Sequence, residues 1–112
     1  MLGTTRYITL EAAKAIMAAG EAEARKNGWN VCIAIVDASG GLIMFQKLDD
    51  TQNGSIAVSQ GKTAFLSVEG IVPLQGGVPV TVDGKVIGAV GVSGVTSAQD
   101  EQVAIAAVSA LQ

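Results

Sequence analysis

The chain has no histidine among its 112 residues, and that absence removes more chemistry than any other feature of its composition. Without an imidazole there is no Ser-His-Asp arrangement, no customary base for a thiolate, and no haem-iron ligand of the commonest kind. The single cysteine, Cys32, cannot make an internal disulfide. It lies in the apolar run 31–36 and reads as a small buried hydrophobe, because free cysteine is among the most buried residue types. Aromatic residues make up only 4% of a chain that is 49% apolar, so the core must be packed from small side chains and not from rings. The seven basic residues are scattered and the net charge is -3, which leaves no basic stripe for nucleic acid. No stretch approaches the ~20 apolar residues needed to span a bilayer. Residues 1–6 lack the basic and apolar regions of a secretory leader. Neither nucleic acid nor membrane is expected as a partner, and the expected compartment is the cytoplasm.

What is present suits one domain over residues 1–112, long enough for one core. Thr9 is a suitable N-cap, preceded by Ile8 as a staple residue and followed by Glu11 in the positive first turn. Leu10, Ala13, Ile16, Met17, Gly20 and Ala24 then recur at helical spacing up to Asn27-Gly28, which predicts a helix of about 17 residues. The continuous apolar run 31–36 predicts a strand covered on both faces. A turn over 37–41 leads into a second strand, 42–46. Ser55 is placed to cap a helix carrying Ile56, Ala57, Gln60, Ala64 and Phe65. Residues 67–77 hold three glycines and Pro73 and read as irregular. A second hairpin follows, from 78–82 through an Asp83-Gly84 turn to 85–93. Pro79 places the first of its strands at a sheet edge or near its own start, since proline cannot donate to the ladder. Ser97 to Asp100 matches a capping box, and Val103, Ala106, Ala107, Ala110 and Leu111 form the apolar face of a last helix. The order α-β-β-α-β-β-α describes an α+β domain, an antiparallel sheet with packed helices.

Several segments, in this order, resemble the GlcG/HbpS-like family. They are Val36-Asp37-Ala38-Ser39-Gly40-Gly41, Lys47-Leu48-Asp49, Gly61-Lys62-Thr63-Ala64, Gly76-Gly77-Val78-Pro79-Val80, Ile87-Gly88-Ala89-Val90-Gly91-Val92-Ser93-Gly94 and Gln99-Asp100-Glu101. The resemblance implies a profilin-like fold and assembly into a homo-oligomer. It also implies a small-molecule ligand, with haem or a corrinoid among those associated with the family, in small-molecule catabolism. The sequence departs from the pattern in lacking histidine. It is also short by about 20 residues, well beyond ordinary loop variation, between the Lys62-Thr63-Ala64 helix and the Gly-Gly-Val-Pro strand.

Each candidate site carries a functional and a structural reading. The glycines of 88–94 suit either a bound ligand or close packing of the chain on itself. Ser93 leads to a helix N-terminus able to hold an anion, yet Asp100 and Glu101 already place negative charge in that turn. Gln75, Gly76 and Gly77 form either a backbone concavity for a carboxylate or an ordinary turn. Lys62 and Asp49 meet if the second helix folds over the sheet, as acid/base pair, ligand clamp or mere surface ion pair. Asp37, Ser93, Asp100 and Glu101 belong to the resembling segments and join the binding candidates. The adjacent pairs Asp49-Asp50 and Asp100-Glu101 do not converge as metal ligands on a regular element, so no metal site is expected. With histidine absent, axial ligation of haem is left to Met17, Met44, Cys32, Tyr7 or Lys62. The leading function is a non-catalytic small-ligand binding or sensor protein. The alternatives are a lyase, isomerase or hydratase acting on a small organic acid through Lys62 and an aspartate, and an accessory protein of an enzyme complex.

Overall fold

The computed structural model describes residues 6–51 and 77–111. Helix α1 (Leu10–Asn27) starts where the Thr9 side chain accepts from the Ala12 N–H, and Gly28 ends it with its N–H on the Ala24 and Arg25 carbonyls. Ala13, Ile16, Met17, Gly20 and Ala24 form its buried stripe, as their spacing requires. Leu10, expected on the same stripe, is instead 55% exposed. Ile8 is buried in its stead, lying directly over Gly88 of the sheet.

Strands β1 (Cys32–Asp37), β2 (Leu42–Lys47), β3 (Gly77–Val82) and β4 (Lys85–Ser93) form one antiparallel sheet in the order β2-β1-β4-β3. β1 is buried on both faces, with Ile33 and Ile35 in the main core and Val36 in a second cluster with Ala89, which accounts for its unbroken apolar run. Edge strand β3 accommodates Pro79, which needs no ladder donor there. Gly77, expected in the irregular segment, opens this strand and pairs with Gly91. At the tip of the second hairpin Asp83 and Gly84 both take positive φ (51° and 78°), the conformation that joins twisted strands in two residues.

Helix α2 (Ser97–Val108) and a short 3-10 turn at Ser109–Leu111 complete the described residues. Its cap is Thr96 and not Ser97. The Thr96 hydroxyl accepts from the Gln99 N–H while the Gln99 side chain accepts from the Thr96 N–H. The expected box is therefore real but shifted by one residue, because two adjacent hydroxyl residues offer the same signal. The buried face shifts too. It consists of Asp100, Val103, Ala104, Ala107 and Val108, whereas Ala110 is exposed and belongs to the 3-10 turn. Alanine at 104, 106, 107 and 110 makes the helix apolar nearly all round, so its pattern defines no unique face.

Both helices lie on the sheet face that carries Ile33, Ile35, Val80, Val90 and Val92, and with them enclose the main core. Fully burying each aliphatic side chain contributes about 1.5–3 kcal/mol. Gly20 lets the helices close on each other. A Cβ there would stand 3.0 Å from Ile33 Cδ1 and 3.2 Å from Ala107 Cβ. Glu23 accepts from Gln102 at 2.8 Å, tying α1 to α2, and Glu21 accepts from Gln46 of β2. The helix expected to follow Ser55, with Lys62, Gln75, Gly76 and the short stretch 65–75, lies outside the described residues.

Candidate functional site

Strand register sorts the candidate residues between two ends of the sheet. Cys32 pairs with Ser93 on one side and Lys47 on the other, so β1 begins where β2 and β4 finish. Asp49 follows β2 at this end, and Gly77 enters beside Gly91. Asp100 joins them because its Oδ1 accepts from the Val95 N–H at 3.1 Å. Asp37 pairs with Gly88 and stands at the opposite end.

The protein's own acceptors satisfy part of the α2 N-terminus and the chain leading into it. Thr96, Gln99 and Asp100 take up backbone N–H groups there, and Asp100 is only 3% exposed. Its carboxylate adds a buried negative charge in the first turn of the helix, where the dipole favours it. Glu101, half-buried in the same turn, adds to the negative charge. Ser93 is buried at the end of β4, and Gly94 follows in close backbone contact with Asn30 and Val31.

Asp49 is exposed and lines a cleft of about 300 Å³. Across from it stand Arg25 and Trp29 at the end of α1, with Asn30, while Asp50 lies beside it. The loop that bears the two aspartates is pinned from beneath. Leu48 donates its N–H to the Val31 carbonyl at 3.0 Å, and the buried Thr51 hydroxyl lies 2.7 Å from the Leu48 carbonyl and 3.2 Å from that of Val31. Arg25 donates to Glu21 at 2.7 Å, so its guanidinium is already partly engaged. The cleft therefore offers one aromatic wall, an amide, a committed cation and two carboxylates. Sequence reasoning missed Trp29, Asn30 and Arg25, which follow no chemical spacing. The one available signal was a lone tryptophan immediately after a helix-ending glycine.

Asp37 has a structural task. Its Oδ1 accepts from the Ser39 hydroxyl at 2.7 Å and from the N–H groups of Gly41 and Ser39 at 2.8 and 2.9 Å, closing the β1–β2 turn. These bonds, the Ser39 hydroxyl foremost, hold its carboxyl below the usual aspartate range. A depressed folded value means that the turn's contribution is complete above the unfolded value of about 3.9 and disappears as pH falls through the lower folded one. A carbon-detected NMR titration should place the Asp37 midpoint below that of free aspartate, and Ser39→Ala should raise it. An unshifted midpoint in the parent protein would show that these bonds do not persist in solution.

Cys32 is fully buried, and burial pushes its thiol up despite the nearby Lys47 charge. It is no thiolate nucleophile at neutral pH. Among the described residues no group of three or more His, Cys, Asp or Glu side chains is placed to hold a metal ion. Among them, too, no helix is long and apolar enough to cross a membrane.

The described residues, a four-stranded antiparallel sheet with two helices packed on it, define a small α+β protein. The family model described as haem degrading protein HbpS-like matches residues 8–68 and 63–109, and the chain belongs to this HbpS-like family. The two matched stretches overlap at 63–68. Protein GlcG of Escherichia coli K12 is 41% identical across 80% of this chain and 84% of its own length. Among solved structures, a double mutant of HbpS from Streptomyces reticuli superposes with a TM-score of 0.85 at 28% identity, covering 99% of this chain and 91% of that one. PduOC in complex with heme superposes equally well (TM-score 0.85) over 94% and 95% of the two chains, at 21% identity, and so shares the fold.

Proposed function

We propose that the protein is a non-catalytic small-ligand binding or sensor protein whose ligand sits at the Ser93 end of the sheet, beside Asp49. The carrying observation is the register, which gathers Gly77, Ser93, Asp49 and Asp100 at one end, next to a cleft walled by Trp29. A concave site with an aromatic wall and a few fixed polar groups is the usual form of a small-molecule pocket, and about 300 Å³ is at the lower end of the usual size. Family membership supports a ligand-binding, haem-associated role, and HbpS and PduOC are the haem-related proteins it resembles. The described residues do not themselves fit an axially ligated haem. Met17 is 2% exposed within the core, Cys32 is fully buried, Met44 packs against the core, and Tyr7 is 72% exposed and lines neither the cleft beside Asp49 nor the one beside Lys85. A small polar organic ligand held without iron ligation fits them better. Binding without turnover is favoured because no activated nucleophile or nucleophile–base pair exists among the described residues. Assembly as a homo-oligomer and a cytoplasmic location belong to the same reading.

Trp29 is the only tryptophan, so its fluorescence reports on the cleft directly. Titration with small organic acids, alcohols and amines should give a saturable change with one class, weakened about tenfold by Asp49→Ala, the scale of a lost charged hydrogen bond. A parallel haem titration followed in the Soret region covers the family's ligand. A stoichiometric Soret change would replace the organic ligand by haem. Silence of both Trp29 and the Soret band would defeat the reading.

A further inference from the structure

The opposite end of the sheet holds a second and larger cleft, of about 530 Å³. It forms because Asp37 pairs with Gly88, which brings the β1–β2 turn, with Ala38, up to the tip of the β3–β4 hairpin. Val82, Val86 and Ile87 give it an apolar wall, and Val86 is 49% exposed there. Arg6, Asp83 and Lys85 supply the charge. Arg6 Nε lies 3.3 Å from Asp83 Oδ2, so these two neutralise each other. Lys85 has no carboxylate within ion-pair distance among the described residues, which leaves one uncompensated positive charge beside an open apolar surface.

We propose that this cleft is a second ligand site, distinct from the one beside Asp49, for a small amphipathic monocarboxylate. The carboxylate pairs with the Lys85 ammonium while a short aliphatic tail covers Val82, Val86 and Ile87. A single net cation selects a monoanion over a dianion, and the volume falls inside the range of small-molecule pockets. The apolar wall argues against inorganic anions, which gain nothing from it.

Octanoate is the probe, titrated into the intact ¹⁵N-labelled protein and followed by amide shifts. Saturable shifts confined to Arg6, Ala38 and residues 82–87 are expected. Lys85→Gln, at an exposed position that the fold does not need, should weaken binding about two- to fivefold, as expected for a solvent-screened ion pair. Octanamide should bind the parent protein more weakly by a similar factor, and Val86→Ser should weaken octanoate and octanamide alike. Non-saturating or scattered shifts, or octanoate binding indifferent to Lys85→Gln, would overturn the proposal. Trp29 lies at the far end of the sheet, so its fluorescence should stay constant throughout, and the two sites stand or fall separately.

Discussion

Gly94→Ala should lower stability by roughly 3 kcal/mol or more, combining an unfavourable backbone conformation with overpacking. The residue takes φ of +150°, and a Cβ built on it would sit 2.3 Å from the Asn30 carbonyl oxygen and 2.8 Å from Val31 Cα. Both obstacles are backbone, so no side-chain rotation relieves them. Relief requires the chain between α1 and β1 to move away from the end of β4, which disturbs the central Cys32–Ser93 rung. In a domain of this size the loss corresponds to a fall in Tm of roughly 12–20 °C by circular dichroism. Gly84→Ala separates the two causes, because Gly84 also has positive φ (78°) but a Cβ there meets nothing within 4 Å. It should cost only about 1 kcal/mol. Equal losses for the two variants would mean that the crowding at Gly94 is absorbed without cost.

Ile33→Ala should cost about 2–5 kcal/mol, the range for truncating a buried aliphatic side chain to alanine. Ile33 is fully buried in the central strand, and its Cδ1 fills the notch left by Gly20 between the two helices. The notch allows a sharper test. Gly20→Ala gains up to about 1 kcal/mol of intrinsic helix propensity, but its methyl would stand 3.0 Å from Ile33 Cδ1 and 3.2 Å from Ala107 Cβ. In the parent protein the crowding should outweigh the propensity. In an Ile33→Val background, which lacks Cδ1, Gly20→Ala should be clearly less harmful. Urea unfolding of the four proteins gives the coupling, expected at 0.5 kcal/mol or above for residues in contact. A coupling near zero would show that Ile33 moves aside freely.

Much of the fold was legible from local signals. Thr9, the two hairpins, the Asp83-Gly84 turn and the edge position of Pro79 each rest on the chemistry of one or two residues, and each appears in place. Misreadings arose where a signal was degenerate or depended on distant chain. Thr96 and Ser97 offer the same hydroxyl, the alanines of α2 mark no single face, and Leu10 lost its core position to Ile8, which only the sheet could decide. The candidate site was less legible than the fold. Asp37, a binding candidate, closes the β1–β2 turn, and Asp100, another, accepts from the Val95 N–H just ahead of the Thr96 cap. Trp29 and Arg25 line the same cleft as Asp49, a tertiary juxtaposition that no spacing in the chain announces.

The strand order β2-β1-β4-β3 has a kinetic consequence. Each outer pair is a hairpin whose turn is only a few residues long, so its ladder can form on the microsecond scale of isolated hairpins. The central ladder joins residues about fifty to sixty positions apart, and closing so long a loop carries an entropic cost before any contact is gained. The β1–β4 pairing is therefore the long-range step that raises the contact order of the fold, and until it forms each strand exposes the inner edge that the other will cover.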